Sequence, residues 1–129
     1  MSAPAIAQDI FARLAAGVAT HSLPVLYFPF VGREPDVEHL RPRILPAITE
    51  SRGVDGWDIE RGIAQVSVYT KQGLGDIHAY SIAERILDLF ERGWSTENVK
   101  VDVAGYLSPL FIDGGWCALH VSIPYVNVR

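Results

Sequence analysis

The clearest pattern in the chain is an alternation of apolar and polar residues in Ile63–Tyr69. Ala64, Val66 and Val68 fall on one side of this run, and polar residues alternate with them. A period of two with β-branched residues is typical of a strand that is buried on one face. The sequence therefore predicts a half-buried strand here.

The period changes after the glycine turn Gly73–Gly75, where apolar residues recur three or four positions apart, as in an amphipathic helix. The predicted buried stripe consists of Ile77, Ala79, Tyr80, Ile82, Ala83, Ile86, Leu87 and Phe90. Asp76 is placed to cap the first turn, and Gly93 suits the left-handed residue that ends a helix. Because the connection is so short, we expect this strand and helix to pack together and form the core.

The first part of the chain predicts another helix and a short strand. A helix capped by Ser2 is expected to run to about Ala16, with Gly17 as its stop and with a buried stripe of Ile6, Ile10 and Leu14. Val25–Phe30 has the apolar character of a strand. The charged segment Gly32–Glu38 contains Pro35 and is predicted to be a surface loop.

His39–Ala47 alternates like a strand but contains Pro42 and Pro46. Proline has no N–H for the hydrogen-bond ladder, so this strand is expected at an edge or with a bend. In this register Arg41 and Arg43 share one face. Ile48–Gly56 is predicted to be a turn or a mobile loop, and strand character resumes at Trp57, so that residues 39–69 are expected to form a long hairpin.

Two more strands are predicted after the second helix, at about Val99–Leu107 and at Trp116–Tyr125, with a turn from Pro109 to Gly115 between them. In the last strand one face is expected to hold Cys117, Leu119, Val121, Ile123 and Tyr125, and the other Trp116, Ala118, His120 and Ser122.

This order of elements predicts an α+β fold in a single domain spanning residues 1–129. Its sheet is expected to have five strands, mainly antiparallel or mixed, with two helices packed on one face. The connection through the second helix leaves open a parallel pair of strands, made by a right-handed crossover.

Composition narrows the possible functions. The 129 residues carry a formal net charge of −4 without any block of Lys and Arg, which disfavours free binding to duplex nucleic acid. The single Cys117 excludes an internal disulfide and is interpreted as a small buried residue. No signal peptide and no apolar run of about 20 residues is seen, so we expect a cytoplasmic protein without a membrane segment.

Candidate chemistry is sparse. The four histidines (His21, His39, His78 and His120) lack partners at metal-ligand spacing, and Ser67 and Ser122 sit in predicted strands. The glycines of the Gly73–Gly75 turn are too few for a phosphate-binding loop. The sequence therefore predicts no catalytic residues, no cofactor and no metal, and a protein that is not an enzyme.

Large aromatic residues are more numerous than two layers of strands and helices obviously need. They are Tyr27, Phe28, Phe30, Trp57, Trp94, Tyr106, Phe111 and Trp116. Aromatic residues are enriched at subunit contacts, so some are expected there, while packing inside one subunit is an equal alternative for each.

Three stretches resemble the tail terminator-like, or tail-completion, proteins of long-tailed bacteriophages. They are RGIAQVSVYTKQGLG (Arg61–Gly75), GGWCALHVSIPY (Gly114–Tyr125) and HLRPRILPA (His39–Ala47), and the resemblance covers about residues 39–125. The central strand resembles the family's G-x-F-Q-V-x-V-Y and the last strand its ending I-P-Y. The chain departs from the family at Ala64, where a larger apolar residue is common, and at Ser67, where an acidic one is frequent.

The resemblance implies a virion protein at the junction of tail and neck, assembled in the host cytoplasm. It would form a ring of six copies that caps the tail tube, ends its polymerisation and joins the head or neck, with DNA passing through the lumen. Candidate interface residues are Arg41, Arg43, Arg52, Val54, Asp55 and Trp57.

Two alternatives remain open at this point. The first is a head–tail connector or head-completion subunit, which would also form oligomers but would bind the portal side. The second is a small-molecule-binding α+β domain, which would be a monomer or dimer with a deep polar pocket and would be stabilised by its ligand.

Overall fold

The computed structural model describes residues 3–28, 34–51, 58–73 and 76–128. Within these ranges the chain forms two helices and six strands. The helices are α1 (Ala3–Thr20) and α2 (Asp76–Leu89). The strands are β1 (Val25–Leu26), β2 (His39–Ser51), β3 (Asp58–Lys71), β4 (Tyr106–Leu107), β5 (Phe111–Asp113) and β6 (Trp116–Val128).

The strands form one mixed sheet in the order β1-β2-β3-β6-β4, with β5 also paired to β6. The long hairpin predicted for residues 39–69 is confirmed as the β2–β3 pair. Strand β1 runs parallel to β2, and the other pairs are antiparallel. Because β6 is antiparallel to both β3 and β4, the connection through α2 joins two parallel strands that have β6 between them.

Both helices pack on one face of this sheet, as predicted. Their buried residues form one cluster with those of the central strands, which includes Ile6, Ile10 and Leu14 of α1, Ala79, Ile82, Ala83, Ile86 and Leu89 of α2, and Leu40, Val66, Val68, Leu119, Val121 and Ile123 of the sheet. Arg13 of α1 donates from Nε to the carbonyl of Leu89 at 3.1 Å and so fastens α1 to the last turn of α2. The α+β class is therefore confirmed, with a sixth strand, β5, beyond the five predicted.

The end of α1 differs from the prediction. The helix does not stop at Gly17 but continues to Thr20. Gly17 is buried, and a Cβ at this position would collide with the side chain of Leu89. The glycine thus lets α1 and α2 approach closely instead of ending the helix. Ile77 was also misplaced, because it is 82% exposed and lies outside the buried stripe of α2.

The first two strands differ from the prediction in length. Strand β1 ends at Leu26, short of Phe30, whereas β2 continues to Ser51, so residues 48–51 belong to a strand and not to a loop. A register shift between Pro46 and Thr49 provides the predicted bend. Ser2, residues 29–33, residues 52–57, and Leu74 and Gly75 of the predicted turn lie outside the described residues.

The segment between α2 and β6 is less regular than the predicted strand Val99–Leu107. Lys100 forms an isolated bridge with Val126, and only Tyr106–Leu107 is a strand. The chain then follows β6 into β5, which returns through Gly114 and Gly115 at φ 57° and 89°. Residues 100–113 thus form an interrupted outer strand along β6.

Candidate functional site

The sheet face opposite the helices, here called the helix-free face, carries the two arginines of the predicted interface. Arg41 lies opposite Ser67, and Arg43 lies opposite Gln65. Residues directly opposite each other in an antiparallel pair point to the same side of the sheet. The pairing between β3 and β6 adds His120 to this face, opposite Ser67.

Arg41 is held in an aromatic cluster. Its guanidinium carbon lies 4.1 Å from the ring centre of Tyr69 and 5.2 Å from that of Tyr27. Its Nε donates to Nε2 of the buried His39 at 3.3 Å, and its Nη2 donates to Oε1 of Glu34 at 2.8 Å. This arrangement fixes the plane of the guanidinium and leaves it facing a carboxylate, which is the group it recognises best.

His39 completes this cluster. The contacts of its ring explain why this histidine can be fully buried in a strand. Its ring stacks on Tyr69 at 5.0 Å and meets Trp116 edge-on at 5.0 Å. Its Nδ1 is 2.9 Å from the carbonyl oxygen of Val37, so both ring nitrogens have a partner. The hydroxyl of Tyr69 donates to Asp113 at 3.0 Å. The cluster therefore ties β2, β3, β5 and β6 together on the helix-free face.

Arg43 is more accessible than Arg41. Its Nε donates to Oε1 of Gln65 at 2.8 Å, and its side chain is exposed. The next pair across the sheet is a hydrogen bond of 2.7 Å between Ser67 Oγ and His120 Nδ1, beside the ring of Phe111. This serine–histidine pair lies flat on two strands, and Asp113 is bonded to Tyr69 instead. The arrangement suits a structural hydrogen bond.

A groove of about 600 Å³ opens along β2. Its walls combine polar groups of the helix-free face with apolar side chains next to α1, and they comprise Ala7, Phe11, Phe28, Arg41, Pro42, Arg43, Ile44, Ser67, Tyr69 and His120. Strand β1 pairs with β2 only at His39 and Leu40. In the described part of the chain, no strand covers the outer edge of β2 beyond Leu40.

The prolines of β2 determine which backbone donors and acceptors are present at this edge. The carbonyl of Leu40 points outward, because it accepts from the N–H of Tyr27 at 2.8 Å. Backbone groups of alternate residues point to the same side of a strand, so Pro42, Ile44 and Pro46 also face outward. Prolines therefore occupy two positions whose N–H would otherwise lack a partner in a described strand, and the edge presents mainly acceptors. Such an edge resists uncontrolled pairing with other strands.

The remaining predicted interface residues, Arg52, Val54, Asp55 and Trp57, lie outside the described residues, and their roles stay predictions. The aromatic cluster around Arg41 and His39 is missing from the sequence prediction, since Tyr27, Tyr69 and Trp116 come from three separate segments. Tyr69 lies two positions after Ser67, so the alternation in Ile63–Tyr69 implies the outer side of the strand for its ring. That position is the one local signal that could have pointed to this cluster.

Most of the surplus aromatic residues pack within the subunit. Phe28 meets Phe11 edge-on at 5.3 Å, and Trp94 meets Phe90 at 5.2 Å. Tyr106 is different, because it is 53% exposed at the outer strand. Cys117 is partly buried and is a free thiol.

The pH dependence of stability is predicted to include a contribution from His120. Burial, followed by the positive charge of Arg43, lowers the pKa of His120 from its ordinary value of 6.5. The unfolded chain therefore takes up this proton more readily, and stability is lost as the pH falls through 6.5. We expect the free energy of unfolding to drop less on acidification in a His120→Gln variant than in the unsubstituted protein. Urea titrations at about pH 7 and pH 5.5 measure this difference, and an equal drop in both proteins would contradict it.

Two properties of the described residues bear on metal binding and membrane insertion. No group of three His, Cys, Asp or Glu side chains in these ranges is placed to hold a metal ion. Neither helix has the length and apolar character required to cross a membrane.

The fold and its surface define a class of small α+β proteins with two helices on one face of a mixed sheet. Seven chains of solved structures match this chain. One of them, whose name states no function, has a TM-score of 0.65 and 24% identity over 95% of each chain, which shows a shared fold. No curated protein matches.

The family described as phage tail terminator protein matches residues 5–125, and the chain belongs to this family. It is therefore a structural protein of the phage tail and a component of the virion that takes part in tail assembly. The family is structural and is not an enzyme family.

Proposed function

We propose that this protein closes into a ring of six copies on the end of the phage tail tube. The ring stops tube polymerisation and offers the surface to which the head or neck is joined. The observation that carries this proposal is the match of the tail terminator family to nearly the whole chain, residues 5–125.

The mechanism follows from ring closure. In a heterologous contact, one surface of a subunit binds a different surface of the next, and the contacts are used up when the ring closes. A closed ring presents no lateral surface for further growth. When the ring is bound to the tube, its face directed away from the tube differs from the end of the tube. Further tube subunits therefore have no surface to which they can bind.

The charge of the chain suits a lumen through which DNA passes. The formal net charge is −4, so the ring as a whole repels the DNA backbone. Arg41 is bonded to Glu34 and stacked on tyrosine rings, which leaves little of its charge for phosphates. DNA would therefore move through without being gripped and without sequence-specific binding.

The test is the mass of the protein in solution by light scattering, with and without tail tube protein of the same phage. We expect a hexamer, either alone or formed on the tube, and a fixed tube length in electron micrographs when the protein is present. A monomer that leaves tube length unchanged would contradict the proposal. Binding to a portal-side adaptor in place of the tube would favour a connector role, and a monomer stabilised by a small ligand would favour a binding domain.

A further inference from the structure

The two outer edges of the sheet present different groups. On one edge, no strand of the described ranges pairs with β2 beyond Leu40, and Arg43 lies above the groove lined by Phe28 and Ile44. On the opposite edge runs the interrupted outer strand, residues 100–113. Two surfaces that differ in this way on opposite sides of one subunit are what a heterologous contact requires.

The interrupted outer strand carries exposed apolar side chains and an acid. Val103 is 49% exposed and Tyr106 is 53% exposed, which makes them two of the six exposed large hydrophobic residues in the described ranges. Asp102 lies beside them, with 36% of its side chain exposed. Its Oδ2 lies 3.9 Å from Nη1 of Arg61, which is a long distance for an ion pair. Asp102 thus remains available to a second cation.

A single row of side chains connects the two edges across the helix-free face. Arg43 pairs with Gln65, Gln65 pairs with Ser122, and Ser122 pairs with Tyr106. The row begins with a cation at one edge and ends with an exposed aromatic ring at the other. When the β2 edge of one copy is placed against the outer-strand edge of a second copy, Arg43 of the first copy lies on the same face as Tyr106 and Asp102 of the second. These are favourable partners for a guanidinium.

We infer that Arg43 and the groove along β2 bind the Asp102–Tyr106 segment of a second copy of this chain. The segment supplies a carboxylate and a tyrosine ring for Arg43, and Val103 contacts the apolar wall of the groove. The prolines of β2 restrict backbone pairing there, so the contact depends on side chains and holds one register. This inference rests on the proposed ring and names the two surfaces that close it.

Charge reversal tests the contact. We expect Arg43→Glu and Asp102→Arg each to raise the protein concentration needed for half-assembly at least about tenfold, because each places like charges together. The double variant and an equal mixture of the two single variants should both recover to within about threefold. In the mixture, alternating copies place Glu against Arg at one contact and the original residues at the next. Glu84→Arg and Arg92→Glu, two exposed sites away from this row, are the matched controls and should assemble like the unsubstituted protein.

The outcomes separate this inference from the proposed function. If the unsubstituted protein forms no ring, alone or on the tube, the proposed function fails. If the ring forms but the single reversals assemble normally, or if folded double variants and mixtures do not recover, the contact assigned here is wrong.

Cross-linking provides a second measurement that does not depend on charge. In a Cys117→Ser background, cysteines are introduced at positions 43 and 106. These positions are three strand spacings apart in one chain, about 14 Å, which exceeds the reach of a disulfide. Mild oxidation should therefore link neighbouring copies into a ladder ending at the closed ring. A folded double-cysteine variant that forms rings but yields only monomers after oxidation would overturn the inference.

Discussion

Replacing Phe90 with alanine is expected to lower the free energy of unfolding by about 3–5 kcal/mol. Phe90 is 1% exposed and follows directly after α2, where its ring meets Trp94 edge-on at 5.2 Å. The substitution removes a large ring from the core cluster shared by the helices and the sheet, and the backbone holds the cavity open. Phe90 N–H is bonded to the carbonyls of Ile86 and Leu87, so this segment is restrained from collapsing into the space.

Urea titration at one fixed protein concentration measures the effect, because assembly would add its own concentration-dependent stability. Phe90→Leu keeps most of the volume and should cost less than about 1.5 kcal/mol. Ile112→Ala is the surface control, since Ile112 is 66% exposed, and its change should stay within about 0.5 kcal/mol. A Phe90→Ala variant as stable as this control would show that the ring does not support the core.

The parts of the fold that were predictable are those with a strong local period. The alternation around Val66 and Val68 and the helical spacing around Ala83 and Ile86 each contain enough apolar residues to specify one face. In the structure these residues are buried together. The face of β6 that packs on the helices was predictable for the same reason.

The errors arose where contacts distant in sequence override local preference. Glycine is a residue type that often ends helices, but Gly17 lies inside α1. A side chain is excluded there by Leu89 of the other helix. The end of β2 resembles a loop in sequence because Ile48–Gly56 contains two glycines and three charged residues, yet residues 49–51 pair with β3. The interrupted outer strand lacks a clear period, since its form is set by pairing with β6.

The candidate site was predictable only in part. Alternation placed Arg41 and Arg43 on a common face, and the structure confirms this placement. No local pattern could show that Tyr27 and Trp116 enclose His39, because these residues meet only after the sheet has formed. The placement of Arg43 and Tyr106 at the two ends of one row likewise depends on three strand pairings, and the order of strands in the sheet is not visible in the sequence.

The glycine at the start of the central motif has a packing reason of its own. Gly62 lies directly opposite Tyr125, the tyrosine of the I-P-Y ending. The Tyr125 side chain crosses over the glycine, and Oη and Cζ occupy the space that a Cβ at position 62 would need. Such a Cβ would also lie 2.9 Å from the carbonyl oxygen of Leu45, a backbone atom that cannot easily move. The glycine of the central-strand motif and the tyrosine of the I-P-Y ending are therefore in direct contact with each other.

Gly62→Val is accordingly expected to lower the free energy of unfolding by about 2–3 kcal/mol, although valine is favoured in strands. Tyr125→Leu removes the two obstructing atoms, so the double variant should lose less stability than the sum of the two single losses. The coupling should be at least about 0.5–1 kcal/mol, because the residues are in direct contact. Urea unfolding of the four proteins measures it. Strict additivity would mean that Tyr125 is not the obstacle, and that the carbonyl of Leu45 alone excludes a side chain at position 62.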